Sequence, residues 1–412
     1  MTLQPGPITA YRRYWLPEAV VLAVLIAATI ILFAVTDLDI VSARWFYHPG
    51  RQNPWPVADH ALWRFFYNSA PWVTGSLAVA GTVALIAGLI RKEARKFRIY
   101  GLFILLCVAL GPGLIVNGIL KDYWGRARPR QIVEFGGQHH YTQPLVPSTA
   151  HGKSFPCGHC SVGYLYGVGW WIWRRRHPKI AALSLLAGLT MGMLLGFGRL
   201  AAGGHFLSDN LWSGLIALGT AHVLYYYVLR IPAREDSVST LYPHIERDRR
   251  YRIAAISGAI LLGTGILIGG IVANPHYVDL NDRLNLNNYP VRPENLEIRV
   301  DRLDVELVLT KERSDEVRCS GNVYGFGLPS NTLRSVWEYE ESPIPTLRFR
   351  IIEHGWFPDI DGVARIELPQ DQLKKVIVRV NQGDIRVAGK DRSKDAVMPL
   401  LDLETKGGRV QQ

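Results

Sequence analysis

The chain has 412 residues, 48% of them apolar and 20% charged, and a formal net charge of +11. That length suggests two or three domains, and its four cysteines (Cys107, Cys157, Cys160 and Cys319) are too few for a disulfide scaffold. The basic excess does not point to nucleic acid, because Lys and Arg gather in short loops between apolar spans, and 39 Gly with 12 Trp suit a polytopic membrane protein.

Arg12 and Arg13 precede an apolar run over 19–35. The pair also fits a twin-arginine export signal, but no A-x-A-like cleavage site follows, so the run is read as an uncleaved anchor with a cytoplasmic N-terminus. Six further spans are predicted over 72–90, 99–120, 161–173, 180–198, 211–229 and 253–273. About 20 apolar residues cross a bilayer as a helix, so 161–173 is short unless it starts near Pro156. Arg91, Lys92, Arg95, Lys96 and Arg98 form one basic cluster, Arg174, Arg175, Arg176 and Lys179 a second, and Arg230, Arg234, Arg247, Arg249, Arg250 and Arg252 a third. The positive-inside rule puts all three in the cytoplasm.

After Pro275 the period changes. Glu297–Val300, Asp304–Val308, Leu347–Ile351 and Lys375–Val380 alternate polar and apolar residues, a strand pattern with one face buried. Gln382-Gly383-Asp384 before Ile385-Arg386-Val387 reads as a hairpin turn. The predicted architecture is a polytopic all-α membrane bundle, with a six-helix core and one extra span, followed by a small extracytoplasmic all-β domain. Its divisions are a core over 1–230, a basic cytoplasmic loop over 231–252, a seventh span over 253–273, the β domain over 288–388 and a polar, frayed tail over 389–412.

Three polar stretches sit beside these spans, all on the predicted outer side. They are Lys121 to Pro129, Phe155 to Cys160 and Arg199 to Asp209. Guanidinium and ammonium groups hold phosphate oxygens, bidentate Arg with fixed geometry. Two histidines allow one nucleophile and one general acid. The set points to phosphate handling at a membrane surface.

These stretches resemble the type-2 phosphatidic acid phosphatase superfamily, whose signature is K-x6-R-P, P-S-G-H and S-R-x5-H-x3-D. Lys121, Arg128 and Pro129 fit the first part. Pro156, Gly158 and His159 fit the second, with Cys157 in place of the serine; Arg199, His205 and Asp209 fit the third, with Gly198 in place of its serine. The resemblance covers about 60–230 and leaves out the β domain.

It implies that His205 attacks phosphorus to form a phosphohistidine and that Asp209 hydrogen-bonds the other ring nitrogen. His159 then protonates the leaving alkoxide and later activates water. Lys121, Arg128 and Arg199 clamp phosphate oxygens together with Cys157 and Gly158, and no metal or other cofactor is needed. The implied enzyme is a multi-pass inner-membrane hydrolase of a lipid phosphomonoester or pyrophosphate at the outer face. Phosphatidate-like lipids, phosphatidylglycerol phosphate, undecaprenyl pyrophosphate and lipid A phosphates are the candidate substrates. Phosphate transfer between lipids is the alternative with the same intermediate. No nucleic-acid partner is implied, and the sequence names no partner for the β domain.

Blander readings stand beside these. Arg126, Arg128 and Arg130 would suit lipid-headgroup contacts, Asp209 would cap a helix, and Trp170, Trp171 and Trp173 would form an interfacial belt. His139, His140 and His151 read as solvated, and Cys107 and Cys319 as inert core residues. Cys157-Gly158-His159-Cys160 is also the C-x-x-C pattern of thiol–disulfide oxidoreductases, but no strand pattern precedes it. Whether these two cysteines are bridged stays open.

Overall fold

The structure is a computed structural model that describes residues 7–51, 54–91, 93–137, 139–150, 152–236, 249–272, 274–310, 314–328, 330–355, 357, 359–369, 371–388 and 399–411. His151 and most of the 231–252 loop lie outside them. The chain divides into two compact units, Met1–Gly270 and Ile271–Gln412.

The first unit is helical. In chain order it contains α1 (Pro7–Val35), α2 (Leu38–Arg44), α3 (Ala61–Ile90), α4 (Phe97–Val108) and α5 (Lys121–Tyr123). They are followed by α6 (Gly158–Tyr164), α7 (Gly169–Trp173), α8 (Pro178–Ala201), α9 (Leu207–Val223), α10 (Ile231–Asp236) and α11 (Arg249–Val272). Among the described residues, five helices are long and apolar enough to cross a membrane: Trp15–Val35, Ala61–Ile90, Phe97–Leu120, Pro178–Ala201 and Arg249–Val272. The other two expected spans are helical but irregular. A tight 3-10 turn, Leu165–Val168, separates α6 from α7, and π-type turns, Leu224–Val228, end α9.

The helix expected over 72–90 starts eleven residues earlier, at Ala61, with Pro71 inside it. Pro is tolerated in a spanning helix, and beside it Ser69 donates to Phe66 O at 2.9 Å and Thr74 to Ala70 O at 3.0 Å. Lipid offers no hydrophobic drive between helices, so small residues and polar contacts join them. A Cβ on Gly101 of α4 would lie 2.4 Å from the Gly81 carbonyl oxygen of α3, which only glycine allows.

Polar contacts dock α1. Glu18 accepts from Trp170 Nε1 at 2.7 Å and Trp171 Nε1 at 3.1 Å, and it pairs with Arg174. Trp171 is buried, so it packs inside the helical unit and not in the interfacial belt read from the sequence; Trp170 is half-buried and Trp173 exposed.

The second unit has two sheets. One has strand order β1-β4-β7-β3-β9-β11 and the other β10-β8-β2-β6-β5. The strands are β1 (Asn274–Asn285), β2 (Asn295–Arg302), β3 (Asp304–Thr310), β4 (Glu316–Gly327), β5 (Thr332–Glu340), β6 (Thr346–His354), β7 (Asp359–Pro369), β8 (Lys375–Gln382), β9 (Ile385–Ala388), β10 (Leu400–Thr405) and β11 (Val410–Gln411). Leu296, Ile298, Leu307, Ile366, Val376 and Val378 are among the apolar side chains that fill its core.

The β unit thus exceeds the expected 288–388 at both ends, and part of the tail expected to fray is paired. The turn at Gln382–Asp384 is not a hairpin. β8 pairs in parallel with β2 and β10, whereas β9 pairs with β3 and β11. The turn therefore carries the chain from one sheet to the other. The same step joins β2 to β3 through Leu303, whose N–H meets Gln382 O at 3.0 Å. Gly383, with φ +146°, stands against Leu303 O, where a Cβ would approach to 2.2 Å. Successive strand pairs stack in parallel as rungs. Cys319 is buried in this core, and burial pushes its thiol up to about 12. Cys107 is buried in α4.

Candidate active site

Each polar stretch is set by a helix end. Lys121 opens α5 where the π-type turns Ala109–Leu120 finish. Gly125, at φ +71°, then turns the chain into an extended run that buries both Arg126 and Arg128 completely. Their burial overturns the lipid-headgroup reading for these two. Arg130 is tied to the third stretch by hydrogen bonds to Ala202 O and, at 3.3 Å, to Gly203 O.

Arg126 is a hub. Its Nη1 donates to Asp209 Oδ1 at 2.5 Å and Ser208 Oγ at 2.9 Å, Nη2 to Asp39 Oδ2 at 2.8 Å, and Nε to Thr142 O at 2.8 Å. Burial works against its charge, but Asp209 and Asp39 more than offset this and hold its pKa above the ordinary value. Asp39, at 0% exposure, also accepts from Ser208 N at 2.8 Å, Ser208 Oγ at 2.6 Å and Tyr141 OH at 2.9 Å. Sequence reasoning missed Asp39 because only the fold brings α2 to α9.

The second stretch begins α6. Cys157 caps this helix and is bridged to Cys160, with Cα atoms 5.5 Å apart. Both cysteines are fully buried. The expected phosphate-binding role of the Cys157 side chain is corrected here, since a bridged sulfur has no S–H to donate. The oxidoreductase reading also loses its exposed thiolate. Gly158 is fixed by packing: a Cβ there would lie 2.5 Å from Asn117 Oδ1. His159 follows in the first turn.

Arg199 lies in the last turn of α8, nearly buried. Gly203, at φ +60°, packs on Trp55 and redirects the chain to His205, which is 3% exposed. His205 precedes α9 and is not in a helical turn with Asp209. Its Nδ1 meets Ser154 O at 2.5 Å, and Asp209 Oδ2 is 3.8 Å away. The expected Asp209–His205 hydrogen bond is therefore replaced by one to a backbone carbonyl. Asp209 Oδ2 accepts instead from Ser154 Oγ at 2.6 Å and from Phe206 N at 2.8 Å, which makes Asp209 a cap of α9 as well as the partner of Arg126. Ser154, fully buried, carries no motif and was not legible in the sequence.

The remaining expected residues share one electrostatic field. His205 is held well below its ordinary value by burial, then by Arg199, Arg128 and Lys121, with the Ser154 carbonyl opposing. His159 is lowered likewise by burial, Arg199, Lys121, His205 and Arg128. Two neutral imidazoles thus face three cations, an arrangement suited to an anion that brings its own negative charge. Among the described residues, no three His, Cys, Asp or Glu side chains are grouped to hold a metal. His140 is exposed, and His139 N donates to Gln131 O at 2.9 Å.

Known proteins share this part of the chain. Residues 100–232 match the PAP2 superfamily. A lipid A 4'-phosphatase of Francisella tularensis subsp. novicida is 35% identical over 143 residues, which cover 34% of this chain and 64% of the relative. A lipid A 4'-phosphatase of Rhizobium etli is 37% identical over 125 residues, covering 29% of this chain and 44% of the relative. The chain therefore spans less than two thirds of the length of either. The crystal structure of a transmembrane PAP2 type phosphatidylglycerolphosphate phosphatase from Bacillus subtilis aligns with 54% of this chain and 98% of its own at 21% identity, with a TM-score of 0.32. The matched segment contains all three stretches and excludes Asp39, Trp55 and the β unit. The stretches and the match together identify residues 100–232 as a segment of the PAP2 superfamily.

Proposed function

We propose that the chain is a multi-pass membrane lipid phosphatase that removes a phosphate from lipid A or a related lipid phosphomonoester, through a phosphohistidine on His205. The observation that carries this reading is the placement of Lys121, Arg128 and Arg199 where all three act on the imidazoles of buried His205 and half-buried His159. The lipid A substrate follows from the names of the relatives.

The Ser154 carbonyl can only accept, so the His205 Nδ1 carries the proton and Nε2 keeps its lone pair. Nε2 attacks phosphorus. As the P–N bond forms, the P–O bond to the lipid breaks and the alkoxide takes a proton from His159. A phosphate dianion in the site offsets the three cations and favours protonated His159 beforehand. Water then gives a proton back to His159, its oxygen bonds to phosphorus, and the P–N bond breaks to release phosphate. Lys121, Arg128 and Arg199 stabilise the charge that builds on the phosphoryl oxygens. Asp209 acts at one remove: with Arg126 it fixes the loop whose Ser154 carbonyl orients His205.

Seven helical passes with the basic loops in the cytoplasm would put this site and the β unit on the outer, periplasmic face of an inner membrane. The reading is tested by phosphate release from a panel of purified lipids: lipid A, phosphatidate, phosphatidylglycerol phosphate and undecaprenyl pyrophosphate. Release from lipid A above the others supports it, and no release from any lipid contradicts it.

A further inference from the structure

Tyr67 lies on α3, outside the three motifs and outside residues 100–232 that match the PAP2 superfamily. Its ring stacks on the His159 imidazole, with centroids 5.3 Å apart and planes at 30°. The guanidinium carbon of Arg199 lies 4.8 Å from the same ring centroid. One half-buried phenol ring therefore touches both the expected general acid and one of the three expected phosphate clamps.

The cations that act on His159 are Lys121 from α5, Arg128 from the loop after it and Arg199 from α8, with the His205 imidazole from the loop before α9 beside them. Burial adds to their effect. All of these disfavour the imidazolium. An aromatic face carries partial negative charge and attracts cations. Tyr67 on α3 is thus a contact that favours a proton on His159, and the same face orients the guanidinium of Arg199.

We propose that Tyr67 is a positioning residue of the phosphatase reaction: its ring fixes the planes of His159 and Arg199 and favours the protonated His159 that donates to the leaving alkoxide. The proposal rests on the phosphatase reading above and adds a residue to it. The phenol hydroxyl has no part in it, so phenylalanine preserves the function and an aliphatic side chain removes it. Because the effect is on proton donation, it falls on kcat more than on KM.

The test is a pH–rate profile for phosphate release from lipid A in detergent micelles by wild type, Tyr67→Leu, Tyr67→Phe and His159→Ala. Tyr67→Leu is expected to lose kcat by about tenfold, in the range of partial loss of general acid catalysis, with KM within about threefold. The basic limb of its kcat/KM profile is expected about half a unit or more lower in pH, the scale of losing a partly desolvated cation–π contact. Tyr67→Phe is expected to return both toward wild type. Tyr67→Met, also lacking the ring, gives the same comparison if the leucine protein does not purify folded. An unshifted basic limb in the aliphatic variants, or a phenylalanine variant as impaired as leucine, overturns the proposal. Full activity of His159→Ala overturns the general-acid reading beneath it, an outcome distinct from a failure at Tyr67 alone.

Discussion

The Nδ1 of His205 meets the backbone carbonyl of Ser154 at 2.5 Å, closer than any oxygen of Asp209. A carbonyl cannot donate, so this contact fixes the tautomer whatever the side chain at position 154. The Ser154 hydroxyl, which donates to Asp209 at 2.6 Å, locks the loop that carries the carbonyl.

That arrangement makes Asp39 a structural requirement of the site. Asp39→Asn leaves buried Arg126 with one carboxylate in place of two. Removing one partner of a buried pair costs about 3–5 kcal/mol. Thermal unfolding in detergent is expected to show a loss of that order, with reduced phosphate release. A variant as stable as wild type would show that the Arg126 hub does not hold the loops.

The disulfide is expected to contribute stability more than chemistry. Closing so short a loop is worth about 2 kcal/mol on chain-entropy grounds. The double substitution Cys157→Ser, Cys160→Ser should lower the unfolding midpoint while the folded fraction keeps phosphatase activity, since serine is the superfamily's own residue at 157. Loss of phosphate release in a folded double variant, beside a disulfide reductase activity in wild type that needs these cysteines, would favour the redox reading.

The two site imidazoles set an acid dependence. Both His159 and His205 titrate well below their ordinary value near 6.5 in the folded state, through burial first and the neighbouring cations second. Between the folded and unfolded values the unfolded chain holds more protons, so acidification favours unfolding. Stability is expected to be flat above about pH 6.5 and to fall below it. His205→Gln should flatten that fall in unfolding curves run from pH 7.5 to 5; an unchanged slope would contradict the assignment.

Orientation is checked with fusions. A reporter active only outside the cytoplasm, placed after Gln412, is expected to be on. A cytoplasmic reporter within 231–252 is expected to be on as well. The reverse pattern would put the site on the wrong face for an outer-leaflet substrate.

The candidate site could be read in the sequence because Lys121, Arg128, His159, Arg199, His205 and Asp209 stand at the spacings of a known signature. The residues that hold them could not. Asp39 stands 169 positions from Ser208 and Ser154 51 from His205, and only the folded chain joins them. Tyr67 was hidden for another reason: it lies outside the span expected over 72–90, whereas α3 begins at Ala61. In the β unit, alternation marked four strands well. It could not tell that Gln382–Asp384 crosses between sheets, because a Gly-Asp turn looks the same in either setting.

The covalent intermediate is the central claim, and rapid-quench trapping tests it most directly. Lipid A carrying radiolabel in its 4'-phosphate would be mixed with wild type, His159→Ala and His205→Ala, then quenched in alkaline detergent. The account predicts base-stable, acid-labile label on the wild-type protein. It predicts slower loss of that label in His159→Ala, with turnover reduced by about 10²–10⁴-fold, and neither label nor phosphate release in His205→Ala. Phosphate release at the wild-type rate by His205→Ala would contradict it.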